Sequence, residues 1–332
     1  MTKVRFGIVG TNSITDKILD AAKQESRFEL TAVYSRTAQR ANEFAKKHNI
    51  PYTFTVLEEM ASSPLIDAVY IASPNSLHAP QSILFMNHGK HVLCEKPLAS
   101  NANEAKIMIE ASERNNVTLM EAMKPTLTPN FFSIKNNIGK IGTIRRYFSC
   151  YCQYSSRYDQ LKDGILLNAF DPKLSNGSVM DIGIYTIYPM VVLFGKPKKI
   201  SATGIKLTTG VDGQGAINFE YDGMNATVLY SKIADSTLPT EIQGEEGTII
   251  SDRINIINRV TLKYRNGKEA EISAPNPRHE YYYEIAEFIN LTETGKRESE
   301  INSHKNSLIT LEIIDEIRKQ LEIIYPADSI YN

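Results

Sequence analysis

Cysteine is scarce, with 3 in 332 residues. A small, odd number in a chain this long excludes a disulfide framework and points to a reducing, cytoplasmic setting. Charge of one sign is not in excess. Lys and Arg total 37 and Asp and Glu 38, a formal net charge of −1, so the basic surplus of a dedicated nucleic-acid binder is missing. No apolar run is expected to reach the roughly 18 residues of a membrane span. The first residues, MTKVRFGIVGTN, enter an apolar run at once, which leaves no room for the successive regions of a signal peptide. The 6 His include no H-E-x-x-H and no helical pair beside a carboxylate. Cys150 and Cys152 lack a second Cys/His pair at metal-binding spacing and read as packing residues on one strand face. No metal is expected.

What is present is an ordinary globular composition, 42% hydrophobic and 23% charged. At roughly 150 residues per domain the length gives about two domains, each with an ample core. In the first third, short apolar runs at 3–9, 28–34, 68–72, 91–94 and 117–120 alternate with amphipathic stretches at 14–23, 38–48, 80–88 and 103–115. That rhythm implies parallel βαβ units with right-handed crossovers. From about residue 124 it changes to β-like runs at 145–153, 198–206, 216–221, 225–230, 248–251 and 260–264, with hairpin signals at Asp222-Gly223 and Asn266-Gly267. Helices over 279–294 and 303–324 close the chain. The expected fold is α/β. A doubly wound Rossmann domain (1–121) precedes an α+β domain (122–332) with a mostly antiparallel open sheet, and the last helices can pack back on the first domain.

Doubly wound sheets bind ligands at the carboxyl ends of their strands. The first such turn holds Gly10, Thr11, Asn12, Ser13 and Ile14. Gly10 permits the close backbone approach that a pyrophosphate needs at a helix start. Asn12 stands where a second loop glycine is common and is read as a residue that enters left-handed backbone cheaply. An ordinary turn capped by Asn12 or Ser13 is the alternative. The second strand ends in Tyr34-Ser35-Arg36-Thr37, without the acid that usually binds the ribose of NAD. A hydroxyl and a guanidinium suit a 2′-phosphate, so NADP is expected, with NAD the alternative. Ser73, Asn75 and His78 follow the 68–72 run, and Glu95-Lys96-Pro97 ends the 91–94 run. These complete the cofactor-binding candidates, with Glu95 and Lys96 counted among them.

Glu95-Lys96-Pro97 resembles the E-K-P motif of the glucose-fructose oxidoreductase / inositol dehydrogenase / rhizopine-catabolism (GFO/IDH/MocA) family. Asn176 to Tyr185, NGSVMDIGIY, resembles that family's glycine-rich turn followed by D-x-G-x-H or D-x-G-x-Y. The terminal Tyr185 is similar to the branch holding dihydrodiol dehydrogenase and NADP-dependent xylose dehydrogenase. The likeness runs along nearly the whole chain. It departs at Asn12, at Asn176 and Ser178, and at Lys124-Pro125, where relatives often place an aromatic residue and Arg.

The resemblance implies hydride transfer between a nicotinamide and a CH–OH or C=O group of a small sugar, polyol or dihydrodiol. It implies that Lys96 is catalytic and also reaches the nicotinamide ribose. Tyr185 is the second proton-transfer candidate, since Lys beside Tyr favours the phenolate. Asp181, four residues earlier, shares a helical face with Tyr185 if a helix opens there, and can orient substrate or partner Lys96. Arg157 and Asn168 are weaker substrate-binding candidates. The open sheet face implies a homodimer or higher homo-oligomer. Two other readings stay open: a non-enzymatic NADP-binding regulator, and reduction of another small carbonyl or imine.

Overall fold

A computed structural model describes residues 3–329 of the chain. It divides into two compact units, Met1–Met123 with Arg278–Ser307, and Lys124–Pro277 with Leu308–Asn332. The first unit therefore ends at Met123 and takes back residues 278–307, where the sequence reading drew one boundary after residue 121.

In the first unit a parallel sheet is built from β1 (Val4–Val9), β2 (Phe28–Tyr34), β3 (Tyr52–Phe54), β4 (Ala68–Ile71), β5 (His91–Glu95) and β6 (Leu119–Ala122). The strand order is β3-β2-β1-β4-β5-β6, and every neighbouring pair is parallel. The order reverses between β1 and β4, and ligands of such sheets bind at the carboxyl ends of the strands there. Every residue of β4 and β6 is buried, which is why central parallel strands read as unbroken apolar runs. The connecting helices are α1 (Ser13–Ala22), α2 (Ala38–His48), α3 (Leu57–Ser62), α4 (His78–Asn87) and α5 (Ala102–Asn115).

β3 and α3 were not read from the sequence. β3 has three residues at the sheet edge, too short to show a period. α4 starts at His78, ahead of Pro80; a proline in the first turn lacks only an N–H that would have no helical partner. β6 begins two residues later than expected, because the Thr118 N–H is taken by the His91 ring at 2.9 Å.

The second unit has α6 (Pro129–Asn137), β7 (Ile144–Cys152), α7 (Ser156–Lys162) and α8 (Ile184–Phe194). Its remaining strands are β8 (Lys199–Lys206), β9 (Asp212–Glu220), β10 (Asn225–Ser231), β11 (Thr240–Gly244), β12 (Gly247–Ser251), β13 (Val260–Tyr264) and β14 (Glu269–Glu271). The order is β14-β13-β12-β11-β7-β10-β9-β8. All pairs are antiparallel except β7 with β10. β11 and β14 were unread in the sequence; β11 joins β12 to β7 inside the sheet and β14 forms one edge. α8 covers one face, where the Tyr147 hydroxyl donates to the Thr186 carbonyl at 3.0 Å. The other face carries Phe148, Leu229, Ala216 and Ile250, each half-buried. The expectation that no segment is apolar enough for a membrane span needs correction. Pro172–Phe194 passes by length and composition, but most of it is buried inside the protein, as in the core helix of a soluble protein.

The chain ends with α9 (Tyr282–Thr294), in the first unit, and α10 (His304–Gln320).

Candidate active site

The β1–α1 turn is shaped by its approach to the end of β4. Gly10 has φ +109°, and a Cβ there would lie 2.4 Å from the Ala72 carbonyl oxygen. The left-handed backbone expected of Asn12 is not found; its φ is −98° and it caps α1, which was the alternative reading. Its Oδ1 accepts from the Ile14 and Thr15 N–H groups at 3.0 and 3.2 Å, while its Nδ2 donates to the Ala72 carbonyl at 2.7 Å. The asparagine thus does two jobs a glycine cannot, capping the helix and tying the two strand ends together. Among the described residues, the backbone N–H groups of Thr11, Asn12 and Ser13 donate to no protein acceptor.

At the end of β2, Ser35 is half-buried and Arg36 exposed. Thr37 caps α2 by accepting from the Arg40 N–H at 3.3 Å. Arg40, which the sequence reading passed over, turns back to the first loop. Its Nε donates to Thr11 Oγ1 at 3.1 Å and its Nη2 to the Thr11 carbonyl at 2.6 Å.

After β4, the Ser73 hydroxyl is buried without a hydrogen-bond partner among the described residues, and Asn75 is buried in the next turn. The His78 ring lies between two carbonyls, with Nδ1 2.8 Å from Pro97 O and Nε2 2.9 Å from Ser73 O. Burial holds this imidazole below its usual pKa. His78 therefore straps the β4 turn to the E-K-P turn, where the Lys96–Pro97 peptide is cis. Glu95 points into the core, with Oε1 accepting from the Tyr70 hydroxyl at 2.6 Å and Oε2 from the Lys96 N–H at 3.2 Å. Lys96 is half-buried. On the neighbouring strand β6, opposite Cys94, Glu121 is buried and its Oε1 accepts from the Leu98 N–H at 2.9 Å. Burial pushes the Glu121 carboxyl up to about 7, opposed by the Ser307 hydroxyl and the Leu98 N–H.

In the second unit, Val179–Gly183 forms a widened helical turn that leads into α8. The N–H of Val179 donates not to Asp181 but to Asp212 Oδ2, at 2.8 Å. Burial pushes the Asp212 carboxyl up to about 6, against the Val179 N–H and the Tyr230 hydroxyl. Asp181 instead pairs with Lys232 Nζ. Gly183 is small because the Tyr230 ring lies against it, where a Cβ would meet Cδ1 at 3.0 Å. Tyr185, one turn on, is 9% exposed, with the Tyr151 ring edge-on at 5.9 Å. Arg157 is exposed in the first turn of α7, and Asn168 is exposed in a short turn. Asp181 and Tyr185 come together on one helix start, and Gly10, Thr11, Asn12 and Ser73 at one switch point.

Residues 4–123 match a family model described as the oxidoreductase family with NAD-binding Rossmann fold. Residues 137–250 match the GFO/IDH/MocA C-terminal domain. The chain belongs to the GFO/IDH/MocA family. It is an oxidoreductase with an NAD(P)-binding Rossmann domain. Scyllo-inositol 2-dehydrogenase (NADP(+)) IolU of Bacillus subtilis (strain 168) is 55% identical over 325 residues, covering 98% of this chain and 99% of that protein. The trans-1,2-dihydrobenzene-1,2-diol dehydrogenase of Danio rerio is 32% identical over 345 residues, covering 98% and 99%. The crystal structure of aldose-aldose oxidoreductase from Caulobacter crescentus, complexed with glycerol, shares the fold at a TM-score of 0.86. It is 21% identical, covering 96% of this chain and 98% of that one.

The residues of this GFO/IDH/MocA protein fit a dinucleotide. Three backbone N–H donors stand at the start of α1 and a partnerless hydroxyl, Ser73 Oγ, at the end of β4. Ser35, Arg36 and Arg40 offer a hydroxyl and two guanidinium groups, with no acid from Tyr34 to Arg40. Three functional candidates escaped the sequence reading: Arg40, Asp212 and Lys232. A second arginine soon after Arg36, in the first turn of α2 just past the Thr37 cap, was a legible signal for the first. The other two meet the D-x-G-x-Y turn only through the tertiary fold.

Proposed function

We propose that this protein transfers hydride between NADP(H) and a ring CH–OH or C=O group of a small polyol, with inositols the first substrates to test. The observation that carries the cofactor choice is the acid-free end of β2, where Ser35 and Arg36 stand with Arg40 turned onto Thr11. The substrate class rests on the 55% identity to the Bacillus subtilis scyllo-inositol dehydrogenase.

When bound, the nicotinamide supplies the hydride acceptor or donor. The protein's part is to bind the dinucleotide, place the carbinol and move one proton. Thr11, Asn12 and Ser13 N–H groups receive the pyrophosphate at the positive end of α1. Ser35, Arg36 and Arg40 receive the 2′-phosphate. Lys96 and Tyr185 share the proton leaving the carbinol oxygen, and Asp181 orients the substrate through a hydroxyl. Arg157 and Asn168 are outer substrate contacts. Ser73, Asn75, His78 and Glu95 shape the cofactor turns, His78 and Glu95 through the Pro97 carbonyl and the Lys96 N–H.

The half-buried sheet face with Phe148, Leu229 and Ile250 is assigned to a homodimer contact, and the free thiols of Cys94, Cys150 and Cys152 to a cytoplasmic setting. The deciding experiment is a screen of inositols, aldoses and trans-dihydrodiols with NADP and with NAD, following nicotinamide absorbance at several pH values. Turnover of inositols with NADP is expected. Turnover confined to dihydrodiols, or to NAD, would overturn the assignment.

A further inference from the structure

Lys232 follows β10 directly, and its main chain is held on both sides. Its N–H donates to the Gly213 carbonyl at 2.9 Å, and its carbonyl accepts from the Ser155 N–H at 3.0 Å. The same Gly213 carbonyl accepts from Ser178 Oγ at 2.7 Å. Two residues back on the strand, the Tyr230 ring supports Gly183. The end of β10 and the D-x-G-x-Y turn are thus one interlocked piece.

A lysine in such a place needs a counter-charge, because an unpaired buried ammonium is strongly disfavoured. Lys232 Nζ pairs with Asp181 Oδ2 and lies 5.8 Å above the Phe170 ring. The two ends of this pair differ. The Lys232 side chain is 6% exposed and that of Asp181 29%. The cation is sealed in, and the carboxylate faces outward with one oxygen committed to it.

We propose that Lys232 is a positioning residue for the reaction, holding Asp181 ionised and in one orientation so that Asp181 accepts a hydrogen bond from a substrate hydroxyl and does not itself carry the proton. The inference rests on the reading of Asp181 as substrate-facing. Without Lys232, a partly buried carboxylate favours its neutral form. Protonated Asp181 would then offer a donor where an acceptor is needed. Titratable groups on the elements packed against the pair include Tyr185 on α8 with Tyr151 of β7 edge-on to it, Tyr230 of β10 against Gly183, Asp212 of β9 on the Val179 N–H, and Tyr158 of α7 against the Phe170 ring. Of these, Asp212 has its pKa pushed to about 6. It is retained in every variant below, so a D181N background subtracts its effect.

The test is the pH profile of kcat/KM for wild type, K232M, K232R, D181N and D181N/K232M, with inositol and NADP. In K232M the acidic limb should move upward by about one pH unit or more, with activity recovering toward wild type at high pH. K232R should keep the wild-type limb. D181N should lose the limb that K232M moves, and adding K232M to it should change little. A uniform loss at all pH values in folded K232M would overturn the proposal, as would a double variant whose loss equals the product of the single losses. If K232M does not fold, carboxyl-carbon NMR on the wild-type protein, with Asp181 assigned through D181N, takes its place. Asp181 should titrate below the ordinary aspartate range, and titration within or above that range overturns the proposal. A fully active D181N would instead sink the substrate-facing reading of Asp181, and this inference with it.

Discussion

The Arg40 guanidinium lies on Thr11, so the loop suited to the pyrophosphate and the turn suited to the adenosine ribose are joined by one side chain. Arg36 and Arg40 flank the Thr37 cap, Arg36 just before it and Arg40 in the first turn of α2. A 2′-phosphate between them would receive charge-assisted bonds from both, each contributing roughly 1.5–3 kcal/mol.

Arg36→Ala and Arg40→Ala should therefore each weaken NADP binding by about tenfold to a hundredfold, and NAD binding by much less. Calorimetric titration of both cofactors checks this. Equal losses for the two dinucleotides would remove the 2′-phosphate from the explanation.

Asn12 caps α1 and bonds the Ala72 carbonyl. Asn12→Ala should lower stability by about 1–2 kcal/mol through the lost cap, with a fall in the melting temperature of the cofactor-free protein. Asn12→Ser, which keeps a capping oxygen but not the reach to Ala72, should lie between. A thermal series on the three proteins decides it.

Lys96→Met and Tyr185→Phe should each lower kcat and kcat/KM together by about 10²–10⁴-fold, the range for a positioned acid or base. NADP affinity should change little in Tyr185→Phe. With one proton passing through both groups, as proposed, the double variant should lose far less than the product. Near wild-type kcat in Tyr185→Phe would shift proton transfer to Lys96 alone.

Glu121 gives a pH prediction with a definite sign. Burial raises its folded pKa to about 7 from the ordinary carboxylate value of 4.5. Between those values the folded state holds a proton that the unfolded state has released. Its contribution is fully present below about pH 4.5 and is lost as pH rises through 7. Glu121→Gln has no such loss. Its stability relative to wild type should rise between pH 5 and pH 8, by at most about 1.4 kcal/mol per pH unit. Urea melts of both proteins across that range measure the difference, and a constant offset would contradict it.

The sheet rhythm of the first unit was legible because β1, β4 and β5 are buried on both faces and punctuated by Gly10, Pro74 and Pro97. β3 was not, being three edge residues with Tyr52 45% exposed. Asp181 and Tyr185 stood out through a local spacing. Lys232 did not, since its partner lies 51 residues away and no local pattern marks a lysine that the fold will bury. Asn12 was assigned to the right turn but the wrong backbone conformation. Its capping bonds to Ile14 and Thr15 are local, yet the bond to Ala72 that fixes its side chain comes from β4.

The first unit is not one stretch of chain. Residues 278–307 belong to it, with Thr118 Oγ1 donating to the Lys296 carbonyl at 2.8 Å and Asn302 Nδ2 to the Met123 carbonyl at 3.1 Å. During synthesis the six parallel strands are complete well before α9 leaves the ribosome. The nascent nucleotide-binding sheet must therefore wait, with the sites for Lys296 and Asn302 unfilled, while more than 150 intervening residues are made. Translation speed across the second unit thus sets how long that unfinished surface is open to chaperones and to other nascent chains.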